Sequence, residues 1–146
     1  MKTDYDRVGK KEKVFITDTG LMSSLLHWKF DSVVLDPDKS GKLVETLVFN
    51  ELSILLSINF GYEMYHYRDR ENREIDFILE NENGDLVGIE IKSGSIVSND
   101  DFKHMKWFKE KISKDRRFTG IGSVFWEKYS QIWRSFLHFT NRRFAF

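Results

Sequence analysis

The strongest constraint on the fold is a pair of β-rich runs, residues 73–80 and 86–92, separated by a short polar turn. Together the runs are rich in isoleucine, leucine, valine and phenylalanine, and branched and aromatic residues favour strands. The turn contains Gly84, which suits the left-handed position of a three-residue hairpin loop. The sequence therefore predicts an antiparallel hairpin, and the loop length determines which residues of the two strands face one another.

The predicted register places two acidic residues opposite each other. If Asn81 pairs with Asp85, then Asp76 lies directly across from Glu90, and side chains paired in this way have Cβ atoms about 4.5–5.5 Å apart. Two carboxylates this close repel each other unless one is protonated or a cation lies between them. Hard oxygen ligands of this kind suit Mg²⁺ or Mn²⁺. Lys92 falls on the same face as Glu90, where its ammonium group can stabilise charge developing on a phosphate.

A simple amphipathic hairpin is the alternative interpretation of the same alternation. In that interpretation the charged residues are solvated, and the core-facing residues are Ile75, Phe77, Leu79, Ile89 and Ile91. Two features favour the acidic site. Aspartate is disfavoured within strands, yet Asp76 interrupts an apolar run, and alternation places Ile78 on the same face as Asp76.

A helix is predicted for residues 43–58, ended by Asn59 and Gly61. The helix has a narrow polar stripe, formed by Thr46, Asn50, Ser53 and Ser57. Most of its circumference is apolar, so we expect it to be largely buried. Glu45 lies at the centre of the apolar arc, where a carboxylate needs a partner or a metal unless it remains solvated in the first turn. Glu51 also interrupts the arc and is the alternative acid.

The other predicted elements complete an α/β order. They are a short strand at 13–17, a brief helix at 21–26, a loop at 31–42 broken by Pro37, a strand at 62–68, a helix from Ser98 or Asn99 to about Ile112, and a strand at 118–126. Three consecutive strands can form a meander, and the strand-helix-strand unit that follows adds a parallel strand. The predicted fold class is thus α/β, with a four-stranded mixed sheet flanked by helices.

Composition excludes several classes of protein. With 40% hydrophobic residues, including 13 Phe and 4 Trp, the chain can form an ordered core. The absence of cysteine excludes disulfides, thiolate zinc sites and a cysteine nucleophile. The sequence contains neither a long apolar run nor a signal-peptide pattern, so we expect a cytoplasmic protein without membrane association.

Charge is balanced over the whole chain, with 23 basic and 23 acidic residues, but it is unevenly distributed. Residues 103–117 contain seven basic side chains and two acidic ones. The basic side chains are Lys103, Lys106, Lys109, Lys111, Lys114, Arg116 and Arg117. With Trp107 and Phe108 among them, this basic segment could follow a nucleic-acid backbone, and we assign DNA contacts to Lys103, Lys106, Lys109, Arg116 and Arg117. A solvated helix face is the simpler alternative.

The order of these acidic motifs resembles the PD-(D/E)XK nuclease superfamily. Its elements here are the helix acid, the segment REIDFIL at 73–79 and the segment IEIKS at 89–93. The resemblance implies a restriction-endonuclease-like core in which Asp76 and Glu90 bind Mg²⁺ or Mn²⁺ with help from the Ile91 carbonyl. It also implies that Lys92 is the catalytic lysine and Glu45 the helix-borne acid.

A narrower resemblance covers most of residues 13–126. The segments KVFITDTGL at 13–21 and ETLVFNE at 45–51, with Tyr67 and Arg68, are similar to the C-terminal domain of many prokaryotic AAA-type ATPases. This resemblance implies an ATPase domain as partner, in the same chain or another. The chain has no phosphate-binding loop and too short a segment before Lys13 for a winged helix, so we expect a freestanding domain or a fragment.

We expect a single nuclease-like domain over residues 1–146. Its core spans about 41–126, residues 1–40 form an N-terminal extension, and the tail at 127–146 fits both helix and strand. The leading functional hypothesis is metal-dependent hydrolysis of DNA phosphodiesters. The second is a non-catalytic module that binds DNA or docks on and regulates the ATPase. The third is oligomerisation as a homodimer through the aromatic residues near the C-terminus.

Overall fold

The computed structural model describes residues 13–92 and 99–124, which form a sheet with helices packed on both faces. The α-helices are Thr19–Leu25 (α1), Phe30–Val34 (α2), Pro37–Ile58 (α3) and Lys103–Phe108 (α4). The strands are Tyr62–Arg68 (β1), Glu74–Asn81 (β2), Leu86–Lys92 (β3) and Phe118–Val124 (β4). A 3₁₀ turn, Asn99–Phe102, precedes α4, and a π-helical turn, Lys109–Ser113, follows it.

The four strands lie in the order β1-β2-β3-β4. β1 and β3 each pair antiparallel with β2, whereas β4 pairs parallel with β3. The crossover from β3 to β4 contains α4. The predicted α/β class, with a four-stranded mixed sheet flanked by helices, is therefore confirmed.

The β2–β3 hairpin has the register that the turn predicts. Phe77 pairs with Ile89 and Glu80 with Leu86. Gly84 has φ 81°, the left-handed conformation expected for the loop. The paired register ends at Phe77 and Ile89, so Asp76 and Glu90, which the turn predicts to be directly opposite each other, lie just beyond the ladder.

The sheet is buried on both faces by two hydrophobic clusters. The cluster on the α3 face contains Val48, Leu52, Leu55, Phe77, Leu79, Val87, Ile89 and Ile121. The cluster on the α4 face contains Ile75, Ile78, Leu86, Met105 and Phe108. Each such side chain contributes about 1.5–3 kcal/mol through burial. Burial on both faces explains why β2 and β3 are nearly continuous apolar runs.

The alternation predicted for β2 is wrong at one place, because the strand contains an irregularity. Tyr65 pairs with Ile78 and Tyr67 with Ile75, so β2 contributes one more residue than β1 over this interval. An extra residue of this kind is a β-bulge. As a result Ile75 packs on the α4 face and Phe77 on the α3 face, although alternation placed them together.

The prediction of a strand at residues 13–17 is also wrong, since this segment is irregular and lies against α3. The Phe15 ring stacks on Phe49 with centroids 4.2 Å apart. The Asn50 amide donates a hydrogen bond of 2.9 Å to the Thr17 carbonyl. These contacts with a helix hold the segment and replace the strand pairing that its apolar alternation indicates.

The predicted loop at 31–42 is in fact helical, because Pro37 begins a helix and does not interrupt one. The Asp36 carboxylate accepts hydrogen bonds from the amides of Asp38 and Lys39, at 3.0 and 3.3 Å. Proline is favoured at the first helical position, where no intrahelical N–H bond is lost. The brief helix predicted at 21–26 corresponds to α1.

One further prediction needs correction. The helix predicted from Ser98 or Asn99 to about Ile112 is three successive helical types, although its apolar side packs as expected. In α3, Thr46 of the polar stripe is buried and donates a hydrogen bond to the Lys42 carbonyl. The predictions for residues 1–12, 93–98 and 125–146 lie outside the described residues. In the part that is described, no helix is long and apolar enough to cross a membrane.

Candidate functional site

The site lies where the regular β2–β3 ladder ends, beyond the pair formed by Phe77 and Ile89. From here the strands are joined through a side chain, because the Asp76 carboxylate accepts a hydrogen bond of 2.8 Å from the Ile91 amide. Asp76 lies within the bulged interval of β2. The bulge and this hydrogen bond fix the carboxylate in the gap between the two strands.

Glu90 is the most buried charged residue in the described chain, with 9% of its surface exposed. Its Oε1 accepts a hydrogen bond of 2.9 Å from the Lys92 ammonium, as expected for neighbours on one face of β3. Its Oε2 is buried and has no hydrogen-bond partner among the described residues. A buried carboxylate oxygen without a partner is costly in free energy, so this atom is a candidate ligand atom for a cation.

Burial and charge perturb both members of the Glu90–Lys92 pair. Burial, reinforced by the negative charge of Asp76, raises the pKa of Glu90 to about 7, although Lys92 opposes the change. Burial lowers the pKa of Lys92, but the hydrogen bond and the charge of Glu90 outweigh it and raise that pKa above 10.5. A carboxyl group that titrates near neutrality marks a candidate site for proton or metal chemistry.

Lys13 lies among three carboxylates, a contact that the sequence did not predict. Its ammonium hydrogen-bonds to Glu45 of α3, and lies 3.2 Å from a carboxylate oxygen of Glu74 and 3.8 Å from one of Asp76. Burial raises the pKa of Glu45, and Asp76 adds to the effect, whereas Lys13 counteracts it. The predicted need of Glu45 for a partner is met by a lysine from the N-terminal segment.

Glu74 is the second residue that sequence reasoning missed. Its carboxylate lies 3.5 Å from His66 Nε2 and 3.6 Å from an Arg68 guanidinium nitrogen, both on β1. Its backbone amide donates to Nδ1 of His104, at 3.3 Å. Its position in the sequence could have identified Glu74, since residues two apart in a regular strand share a face and Glu74 precedes Asp76 by two residues.

The sequence-predicted residues Glu45, Asp76, Glu90 and Lys92 therefore meet at one end of the sheet. Glu51, the alternative acid on α3, is not the one that contacts Lys13. The Ile91 backbone contributes its amide to the site, through the hydrogen bond to Asp76, while the Ile91 side chain packs on the α3-face cluster.

The oxygen atoms at this site suit a hard divalent cation, although the carboxylates are not arranged around a single point. Oxygen atoms from Asp76 and Glu90 are the type that Mg²⁺ and Mn²⁺ prefer, and Glu90 Oε2 has no hydrogen-bond partner in the part of the chain that the structure describes. Within residues 13–92 and 99–124, however, no three aspartate, glutamate or histidine side chains are grouped closely enough to hold a metal ion. A lysine ammonium lies among three of the carboxylates instead.

The basic segment contributes unequally to the surface. Lys103, Lys106, Lys109 and Arg117 are exposed, although Lys103 also pairs with Asp100 at 2.9 Å. Arg116 has an internal role, because its guanidinium binds Glu80 at 2.5 Å and the Gly84 carbonyl at 2.6 Å. Its predicted role as a DNA contact therefore competes with its contacts to the β2–β3 turn.

Trp107 is not presented to solvent as an open stacking surface. The Arg73 guanidinium lies 3.5 Å from the centre of its ring. Arg73 is held in turn by Asp69, whose carboxylate accepts a hydrogen bond of 2.6 Å from it. Trp107 therefore has a structural role, in which its ring packs against the Arg73 guanidinium.

Residues 40–134 match the family model described as Domain of unknown function (DUF4143). Comparisons with curated proteins and with solved structures found no match. The matched segment includes Glu45, Asp76, Glu90 and Lys92, whereas Lys13 precedes it.

Proposed function

This chain belongs to the DUF4143 family, and we propose that it is a divalent-metal-dependent nuclease-like domain that hydrolyses DNA phosphodiesters. The observation that carries the proposal is the buried Oε2 of Glu90, which has no hydrogen-bond partner in the described chain and lies beside the charge of Asp76. A carboxylate pair of this kind requires a proton or a cation. Mg²⁺ or Mn²⁺ held by Asp76 and Glu90, with the Ile91 carbonyl, would supply that charge.

Each of the four acidic and basic side chains has a distinct role in this proposal. Asp76 is oriented by the Ile91 amide, and Glu90 by the Lys92 ammonium. Lys92 stabilises negative charge on the phosphate, and Glu45 adds a carboxylate from α3. A divalent cation at such a site provides Lewis-acid activation of phosphodiester hydrolysis.

The basic segment offers a surface for the DNA backbone next to this site. Asp101, in the turn before α4, lies close enough to Lys92 to help raise its pKa. The helix that begins at Lys103 therefore starts beside the site. Lys106 is exposed on this helix, and Lys109 is exposed in the turn that follows it. Exposed lysines that neutralise phosphates give binding that weakens with increasing salt.

Cleavage and metal binding by matched variants test the proposal. We expect Mg²⁺- or Mn²⁺-dependent cleavage of DNA by the purified protein. Lys92→Met should slow it about 100–1,000-fold, because it removes charge stabilisation in the transition state. Asp76→Asn should abolish Mn²⁺ binding measured by calorimetry. Asp38→Asn, at an exposed carboxylate of α3, is the control. Equal cleavage by wild type, Asp76→Asn and Lys92→Met would refute the nuclease proposal.

The second candidate is a non-catalytic module that binds DNA or docks on a AAA-type ATPase. The observation that favours it is an exposed apolar surface on and around α2, where Phe30 is 81% and Leu35 83% exposed. Large exposed apolar patches indicate interaction sites. DNA binding without cleavage under either metal would support this candidate. A homodimer, the remaining alternative, would give twice the monomer mass in light scattering.

A further inference from the structure

We infer that the Lys13 ammonium lies between Glu45 and Asp76 of the proposed metal centre, so that a divalent cation held by Asp76 and Glu90 gains Glu45 as a third carboxylate only when Lys13 leaves. The inference rests on the proposed function, because it concerns how the same carboxylates accept a metal. It assigns Lys13 as an internal counter-cation that competes with the metal.

The geometry supports competition. Glu45 and Asp76 come from α3 and β2, and the group that joins their carboxylates is the Lys13 ammonium. Their side chains are each 16% exposed, compared with 27% for Lys13, so the contacts lie below the surface. Mg²⁺ binds oxygen ligands at about 2.0–2.1 Å. A carboxylate oxygen that contacts an ammonium cannot approach a second cation as closely, because the two cations repel.

The position of Lys13 in the chain allows the side chain to leave without unfolding the segment. The backbone beyond it is held by the Phe15–Phe49 stack and by the bond from Asn50 to the Thr17 carbonyl. The lysine itself lies in irregular structure, and its side chain has four rotatable bonds. Rotation of this side chain is therefore sufficient to release the carboxylates.

The same contact explains how the acidic site is tolerated without metal. Glu45, Glu74 and Asp76 would repel one another if left alone, and the lysine charge offsets part of that repulsion. It also explains why no metal-ligand cluster is formed among the described residues. Glu45 and Asp76 are spaced around an ammonium group and not around a metal ion.

Calorimetric titration of Mn²⁺ into wild type, Lys13→Met and Lys42→Met tests the inference. Lys42→Met is the matched control, since it removes one ammonium from α3, the helix that carries Glu45, where Lys42 pairs with Asp38 at 2.8 Å. We expect Lys13→Met to bind Mn²⁺ at least about tenfold more tightly than wild type, and Lys42→Met to bind it nearly as wild type does. Equal or weaker binding by Lys13→Met would overturn the inference while leaving the metal site intact.

A second measurement uses the wild-type protein and does not depend on how a variant folds. The rate at which an amine-reactive reagent labels Lys13, followed by mass spectrometry, should increase several-fold when saturating Mg²⁺ is added. Labelling of Lys42 should stay constant. If Lys13 remains protected at saturating metal, the inference is wrong. If no variant binds Mn²⁺ or Mg²⁺, the metal centre itself is refuted, and the inference falls with it.

Discussion

Replacing Glu90 with glutamine should stabilise the metal-free protein, because the wild-type carboxylate is buried at a cost in free energy. Its Oε2 has no partner in the described chain, and the charge of Asp76 adds repulsion. Glu90→Gln removes the negative charge while keeping the shape and an oxygen that can accept the Lys92 hydrogen bond. We therefore expect a more stable protein that no longer binds metal.

The magnitude follows from the pKa of Glu90, which rises from 4.5 to about 7 on folding. Each pH unit between these values corresponds to roughly 1.36 kcal/mol, so the ionised carboxylate costs about 3 kcal/mol. The folded state binds the proton more tightly, hence wild-type stability falls as the pH rises through this interval. The gain in unfolding free energy of Glu90→Gln over wild type should reach its full value at about pH 8 and disappear as the pH approaches 4.5.

Urea denaturation in the presence of a chelator measures this effect, with tryptophan fluorescence as the signal. Unfolding free energies of wild type and Glu90→Gln are compared at several pH values between about 5 and 8. Glu80→Gln on β2 is the control and should be neutral or destabilising, because it removes the ion pair with Arg116. A Glu90→Gln protein that is less stable than wild type at about pH 8 would refute the reasoning.

Two further predictions concern the sheet and its flanking turn. Gly88→Ala should lower the unfolding free energy by about 1–3 kcal/mol, because the added Cβ would lie 2.6 Å from the Phe118 ring. Gly120→Ala, whose added Cβ would have its nearest contact at 3.4 Å, should lower the unfolding free energy less. Thermal melts of both variants measure the difference. Asp69→Asn should destabilise the protein by about 1–2 kcal/mol at neutral pH, since it removes the negative charge and the second carboxylate oxygen, which accepts the hydrogen bond from Arg73 Nε. Burial works to raise the pKa of Asp69, but the bonds from Arg73 outweigh it and hold that pKa below 3.8. The stability difference between wild type and Asp69→Asn should therefore be constant above about pH 5 and shrink at lower pH in urea titrations, and a difference that grew on acidification would contradict this.

Local chemistry made the hairpin predictable from the sequence. The left-handed glycine and the loop length determine the register within a few residues, and the β2–β3 pairing followed it. That register brings Asp76 and Glu90 to the same end of the hairpin, just beyond the last paired residues. The final position of Asp76 also depends on the bulge against β1.

The predictions that were wrong or incomplete depend on contacts between distant segments or on the capping of a helix. The bulge in β2 is defined only by the pairing with β1, so alternation within β2 could not show it. Pro37 was interpreted as a helix breaker, although the preceding Asp36 supplies the cap of a new helix. Lys13 contacts Glu45 and Glu74, which are 32 and 61 residues away, and no local pattern encodes such a contact.

The long sequence separation between Lys13 and the carboxylates that it contacts also has a consequence for folding. During synthesis the lysine emerges from the ribosome before the carboxylates that will surround it, since 61 residues separate it from Glu74. Contacts between residues so far apart in sequence form late, because a long loop must first be closed. We therefore expect Lys13 to dock after β2 has formed, so that the carboxylates of Glu45, Glu74 and Asp76 come together before the ammonium offsets their repulsion.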